Sequence, residues 1–192
     1  MESVANYFRT KAIIKAALPF VKDSPARVLD IGAGSCHIAK TLSVKHGFSV
    51  TAIDVADHNV TNFPLRLYAG KKLPYADNSF DVGLLVFVLH HASNAKDLLK
   101  EAKRVCKQVV VIEDLPTNTI ERMAWKRLDY LLNHAQHKDI AIAHEAKTYA
   151  AWKDLFTSQD YRIVKTKKFR SLCTSGLLFA HIIFVLSPSP KT

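Results

Sequence analysis

Long hydrophobic runs, paired cysteines and an acidic surplus are all missing from this chain. A helix that spans a membrane needs roughly 20 apolar residues; the longest candidates, 82–89 and 176–186, are shorter and read as strands. The amino end does not read as a signal peptide, because Lys11 and Lys15 interrupt its apolar residues. Cysteine is scarce. Cys36, Cys106 and Cys173 are odd in number, widely spaced and without a C-x-x-C pair, which fits reduced structural thiols in a cytoplasm. Six glycines and seven prolines mark no long linker, and no repeat or low-complexity segment is present. What remains is a 192-residue chain with 48% apolar and 23% charged residues, the balance of one globular domain with a full core.

The charge is of one sign. A formal net charge of +10 implies attraction to anions in general, without separating an acidic metabolite from RNA or an anionic membrane. The densest cluster, Lys165-Thr166-Lys167-Lys168-Phe169-Arg170, reads first as a solvated edge strand whose lysines discourage edge-to-edge pairing. A nucleic-acid patch or attraction to an anionic substrate or membrane is the alternative.

A third glycine is also lacking, and its absence carries information. Val28-Leu29-Asp30-Ile31 reads as a short buried strand, Gly32-Ala33-Gly34 as a tight turn, and 36–44 as a helix with Ile38, Ala39 and Leu42 at helical spacing. Strand, glycine turn and helix form a nucleotide cradle at the carboxyl end of a strand. A dinucleotide fingerprint would need glycine where His37 stands. Instead Asp30 precedes the first glycine by two residues, and a carboxylate there suits a cationic ligand such as S-adenosylmethionine better than a pyrophosphate. A second strand, Ser49-Val50-Thr51-Ala52-Ile53-Asp54, ends in an acid 20 residues after Gly34, a place from which it can hold ribose hydroxyls.

Further motifs follow in order: Leu73-Pro74-Tyr75-Ala76-Asp77-Asn78-Ser79-Phe80-Asp81-Val82, Val88-Leu89-His90-His91, Leu99-Lys100-Glu101-Ala102-Lys103-Arg104-Val105 and Val109-Val110-Val111-Ile112-Glu113-Asp114. Together with the glycine turn they resemble the class I S-adenosylmethionine-dependent methyltransferases. The resemblance is to the small-molecule group (type 11) typified by the ubiquinone and menaquinone biosynthesis C-methyltransferases, and it covers about 28–114. It implies a Rossmann-like α/β fold with a seven-stranded, mostly parallel sheet, helices on both faces, and a closing hairpin that makes the last strand antiparallel. It implies S-adenosylmethionine as cofactor, S-adenosylhomocysteine as product and a small, partly apolar methyl acceptor. Cofactor contacts fall by resemblance on Asp30, Gly32, Ala33, Gly34, Asp54, Val55, Ala69, Gly70 and Phe87, and the acceptor-side histidine of relatives matches His91. Ala69 departs from the pattern, because many relatives carry there an aspartate that accepts from the adenine amino group. The Pro-Gly-Gly common before the fifth strand is replaced by Lys107-Gln108, a shorter turn.

The elements expected are a helix over 6–20 with Tyr7, Phe8, Ile14 and Leu18 on one face, and strands at 28–31, 50–54, 65–68, 81–88 and 109–113. A helix N-capped near Ser93 lies between the last two strands. A long helix starts at Pro116 and Thr117 with Ile120, Ala124, Leu128, Leu131 and Ala135 on one face. A short helix over 149–158 and strands at 161–168 and 178–186 follow. One domain is expected throughout: an amino-terminal helical cover (1–24), a cofactor core (25–115), a helical acceptor cover (116–150), a closing helix and hairpin (151–186) and a frayed tail (187–192).

Each candidate has a plainer reading. Asp30 can merely order the glycine loop, the glycines can make an ordinary strand-to-helix turn, and Asp54 can cap a helix. His91 can be structural, and Trp125, Tyr130, His134, His137 and His144 can be packing groups and not an acceptor lining. His90, His91, Glu113 and Asp114 converge at strand ends without a dedicated metal-ligand motif, so no metal is assigned. Two rival functions stay open. One is an RNA methyltransferase, motivated by the charge; the other is a non-catalytic binding or regulatory protein on the same scaffold, motivated by Ala69. Nucleic acid is not the favoured partner, and the oligomeric state is not set by the sequence.

Overall fold

The structure, a computed structural model, describes residues 4–21, 26–125, 127, 147–170 and 180–189. The expectations for Leu128, Tyr130, Leu131, His134, Ala135, His137 and His144 fall outside the described residues, as does Cys173.

Seven strands form one sheet: β1 (Arg27–Ile31), β2 (Ser49–Asp54), β3 (Leu65–Leu67), β4 (Phe80–Val86), β5 (Cys106–Leu115), β6 (Tyr161–Phe169) and β7 (Ala180–Pro188). Their spatial order is β3-β2-β1-β4-β5-β7-β6. Pairing is parallel from β3 to β5, while β7 runs antiparallel to both β5 and β6. The central strands are buried on both faces and read as continuous apolar runs, as parallel strands covered by helices must. β6 is the outer edge, and Lys165, Lys167 and Lys168 on it are exposed, as the edge-strand reading expects.

Helices cover both faces. α1 (Val4–Ala17) places Ile13, Ile14, Ala16 and Ala17 in the core shared with α2 (His37–His46), Val28, Leu84, Val110, Ile112 and Ile183. The expected α1 face is therefore rotated: Tyr7 and Phe8 are exposed, because the packed stripe is set by the Ile13-Ile14 pair nearer the sheet. The other face carries α3 (Ala95–Val105) and α5 (Tyr149–Thr157), whose Leu99, Ala102, Val105, Trp152 and Phe156 pack with Leu29, Ile31, Leu85, Val111 and Phe184. Asn94, not Ser93, caps α3: its side chain accepts from the Asp97 amide at 3.3 Å, which places the first turn one residue later. α3 passes into β5 at Cys106 with no intervening loop, as the missing Pro-Gly-Gly predicts.

α4 begins at 119 and is described through 125. Asn118 accepts from the Glu121 amide at 2.8 Å, and Glu121 reaches back to the Thr117 amide at 2.6 Å, a reciprocal cap. That start directs Trp125 inward, where it is buried. Ile120 lies about 140° around the helix at 100° per residue and is exposed, against the expectation that it packs.

One arginine fastens the loop between β3 and β4. Arg104 on α3 donates to Leu73 O (2.9 Å), Tyr75 O (2.7 Å), Asp77 (2.9 Å) and Glu101 (2.7 Å), while Glu101 accepts from the Leu73 amide at 2.9 Å. The planar fork of arginine makes this set possible, and lysine cannot copy it. We expect Arg104→Ala and Arg104→Lys to lower the unfolding free energy by about 2 kcal/mol each, measured by urea denaturation. Full stability in Arg104→Lys would show that charge alone holds the loop.

Candidate functional site

Strand β1 lies between β2 and β4, so the chain leaves its carboxyl end in the crevice where the strand order reverses. Ligands bind at such a switch point in open α/β sheets. The glycine turn stands there. Gly32 (φ 74°) and Gly34 (φ 48°) both take left-handed conformations, and the Gly32 and Ala33 amides donate to Ile53 O at 2.8 and 3.2 Å. A side chain built on Gly34 would meet nothing within 4 Å, so the turn is open on that side.

Two acids meet the turn. Asp54, at the end of β2, accepts from the Gly34 amide (Oδ2, 2.8 Å) and from the Val55 and Ala56 amides (Oδ1, 2.6 and 3.4 Å). It therefore ties the ends of β1 and β2 together and caps no helix. Asp30 lies beneath the turn with 2% of its surface exposed, and its Oδ2 has no hydrogen-bond partner. Burial, and then the charge of Asp54, push its pKa up to about 7, while the Ala39 amide at the start of α2 pulls the other way. An orphaned carboxylate of this kind needs a cationic or hydrogen-donating partner. The Asp30–Gly34 cradle therefore fits a ligand with an ammonium group.

Val55, Ala69 and Gly70 bound the crevice on the β2 and β3 side. All three are exposed, and Gly70 (φ 75°) would place a side chain 3.4 Å from Val55 Cγ1. On the β4 side, Phe87 takes a left-handed conformation (φ 56°), a strained one for a bulky residue, with its amide held by Ile112 O at 2.8 Å. This turns the chain so that Val88 packs against Gly32, and His90 and His91 follow beyond the carboxyl end of β4.

His90, the histidine not matched to that of relatives, also has a built environment. His90 Nδ1 lies 2.5 Å from Glu113 Oε2, both side chains being nearly inaccessible, and the Leu89 amide donates to the other Glu113 oxygen at 2.8 Å. His91 is half-buried, with its ring 4.0 Å from that of His90. Because strand side chains alternate, the neighbouring acids of β5 go to opposite faces. Asp114, on the α1 face, accepts from His181 Nδ1 and from Trp125 Nε1, each at 2.7 Å. Burial opposes its ionisation, but the hydrogen bond and charge of His181, with help from His90 and Trp125, hold its pKa below the usual carboxylate range. Trp125 also sets its edge toward His90 at 5.6 Å, so it spans both faces at the strand ends. The adjacent acids Glu113-Asp114 were the sequence signal for this cluster. Among the described residues, no group of three or more His, Cys, Asp or Glu side chains is placed to hold a metal ion.

Residues 29–112 match the sequence model of a family described as a methyltransferase domain. The chain is 37% identical over 90 residues to the demethylmenaquinone methyltransferase of Tropheryma whipplei (strain Twist), covering 42% of this chain and 37% of that protein. It is 28% identical over 148 residues to the uncharacterized methyltransferase YcgJ of Bacillus subtilis (strain 168), covering 69% and 55%. The chain thus spans about half, or less, of the length of the curated relatives it matches. In fold it is similar to the crystal structure of a SAM-dependent methyltransferase from Methanosarcina mazei, with a TM-score of 0.67 at 16% identity, over 91% of this chain and 97% of that one.

Proposed function

We propose that this chain, which has the class I S-adenosylmethionine-dependent methyltransferase fold and carries the methyltransferase domain over residues 29–112, transfers a methyl group to a small, partly apolar molecule. The observation that carries the reading is the buried Asp30 carboxylate with one unpartnered oxygen beneath an open glycine turn, beside the acid that ends the next strand. S-adenosylmethionine, the cofactor of this class, supplies a methyl group already activated on a sulfonium.

In this reading Asp30 takes the cofactor's ammonium group, and the backbone of Gly32, Ala33 and Gly34 allows close approach. Asp54 offers its remaining lone pairs to the ribose hydroxyls, with Val55 beside it. Ala69 and Gly70 border the adenine, and Phe87 closes the opposite side. Ala69 has no acceptor for the exocyclic amine, so recognition there falls to backbone and shape. The chain's chemical task is alignment, which supplies much of the rate in a displacement from an activated donor. His91, packed on the Glu113-oriented His90, gives the acceptor side a polar contact. A base is required only where the acceptor must lose a proton. The cofactor half maps to 25–115; most of the expected acceptor cover over 116–150 lies outside the described residues. The small-molecule reading draws support from the demethylmenaquinone methyltransferases, to which part of the chain is similar. The RNA reading draws less support, since the lysines of β6 are separated from β1 by β4, β5 and β7.

The test is calorimetric titration of S-adenosylhomocysteine, followed by methyl-transfer assays on a metabolite panel. We expect binding by the wild type and a loss of about 1–3 kcal/mol in folded Asp54→Ala, the value of hydrogen bonds to a charged group. Equal affinity in the two proteins would remove Asp54 from the site, and absence of binding by the wild type would overturn the reading.

A further inference from the structure

The outer face of α1 combines exposed aromatic rings with positive charge. At about 100° per residue, Tyr7, Lys11, Lys15 and Phe8 fall within an arc of about 100°, opposite the buried Ile13 and Ala17. Tyr7 is 40% and Phe8 45% exposed, their rings edge-on to one another with centres 5.5 Å apart. Lys11 and Lys15 are exposed as well. The face continues onto α2. Lys45 Nζ stands 5.5 Å from the centre of the Tyr7 ring, and Val44 beside it is 74% exposed.

The charge on these two helices is of one sign. They carry Arg9, Lys11, Lys15, Lys40 and Lys45 and no aspartate or glutamate. α3, by contrast, sets Asp97 and Glu101 among its lysines. Among the described residues, no ion pair involves Lys11, Lys15 or Lys45.

We propose that the α1–α2 face docks this chain on an anionic phospholipid surface. At such a surface, aromatic rings enter the boundary between headgroups and acyl chains, lysine stems lie along apolar surface, and ammonium groups stay level with the phosphates. RNA complements the charge only. Val44 offers a base no stacking surface, and two rings at 74° to each other do not form a stacking platform. No described helix is long and apolar enough to cross a membrane, so the contact is peripheral. Arg9, on the flank of the same helix, has its guanidinium carbon 5.3 Å from the centre of the Phe87 ring, just past β4. The carboxyl end of β4 thus lies about one helix diameter, 10–12 Å, from the lipid. An apolar acceptor carried in the bilayer then has a short path to the crevice. That consequence rests on the methyl-transfer reading; the docking does not.

Sedimentation with vesicles tests the docking without cofactor, so its failure leaves that reading untouched. Wild type should bind vesicles made of equal parts phosphatidylglycerol and phosphatidylcholine, and bind phosphatidylcholine vesicles at least about tenfold more weakly. Folded Tyr7→Ser/Phe8→Ser and folded Lys11→Glu/Lys15→Glu/Lys45→Glu should each lose about tenfold or more of the partition into anionic vesicles. Lys165→Glu/Lys167→Glu/Lys168→Glu on β6 should lose less than the triple variant of α1 and α2. Phe8→Trp adds a reporter whose emission should shift to the blue on anionic vesicles, against a background of buried Trp125 and Trp152. No binding by the wild type, full binding by Tyr7→Ser/Phe8→Ser, or unshifted emission in Phe8→Trp overturns the proposal. A greater loss in the β6 variant overturns it too, by moving the anion-binding face to that edge. Single-stranded RNA that strips the protein from vesicles, and that Tyr7→Ser/Phe8→Ser no longer binds, would make the face a nucleic-acid site and equally overturn it.

Discussion

Gly32→Ala is expected to cost about 2–4 kcal/mol of stability and to abolish binding of S-adenosylhomocysteine, whereas Gly34→Ala should cost only about 1 kcal/mol. Both glycines are left-handed, so both substitutions pay for backbone strain. They differ in what the new methyl meets. At Gly32 it would sit 2.6 Å from Val88 Cγ2 and 2.9 Å from Cγ1, distances that force one group to move. Val88 is β-branched and stiff, and its carbonyl accepts from the His91 and Ala92 amides, so yielding there disturbs the histidine turn as well. At Gly34 the methyl enters open space on the cradle side, so beyond the backbone strain its effect should fall on ligand affinity. The double variant Gly32→Ala/Val88→Ala is expected to regain the steric part of the loss in urea denaturation. If it does not, Val88 is not the obstacle.

The same contact shows what the sequence could and could not reveal. Gly32 reads from sequence as a place where a ligand approaches the backbone closely. In the structure its missing side chain is required first by Val88, a residue 56 positions away that no local pattern connects to it. The order of strands, the glycine turn and the acids at strand ends were legible because period and punctuation are local properties. The sheet edge at β6 was legible from its lysines for the same reason. Helix faces were less so. α1 is rich in apolar residues all round, and only its docking decides that Ile13 and Ile14 pack while Tyr7 and Phe8 face outward. The bond between His90 and Glu113 was not legible. It arises because β4 and β5 pair with Val86 opposite Ile112, which brings the turn that follows β4 alongside Glu113, still within β5. A one-residue choice between His90 and His91 cannot be made without that register.

Asp30 should make both stability and cofactor affinity depend on pH, in opposite directions. Burial first, and the charge of Asp54 second, raise its folded-state pKa from 3.8 to about 7. The folded chain therefore holds this proton more tightly than the unfolded one, so the contribution of Asp30 to stability is greatest below pH 4, while carboxylates held ionised, such as Asp114 and Glu101, act the other way at acid pH. That contribution declines as pH rises toward 7, by at most about 4 kcal/mol, and is flat beyond. Asp30→Asn removes the ionisation, and we expect it to be more stable than the wild type at pH 8 and to lack this slope. Binding runs the other way. An ammonium group favours the ionised carboxylate, so affinity for S-adenosylhomocysteine should climb between pH 5 and 7 by up to about tenfold per pH unit and level off above. In Asp30→Asn it should be weak and independent of pH over that range. Both slopes together would mean that the wild type gives up stability at neutral pH to keep a buried charge ready for a cationic partner. Urea denaturation and calorimetric titration of both proteins from pH 5 to 8 check the pair of slopes. Parallel pH profiles in wild type and Asp30→Asn would show that another group titrates, and Asp30 would then be only a support of the glycine loop.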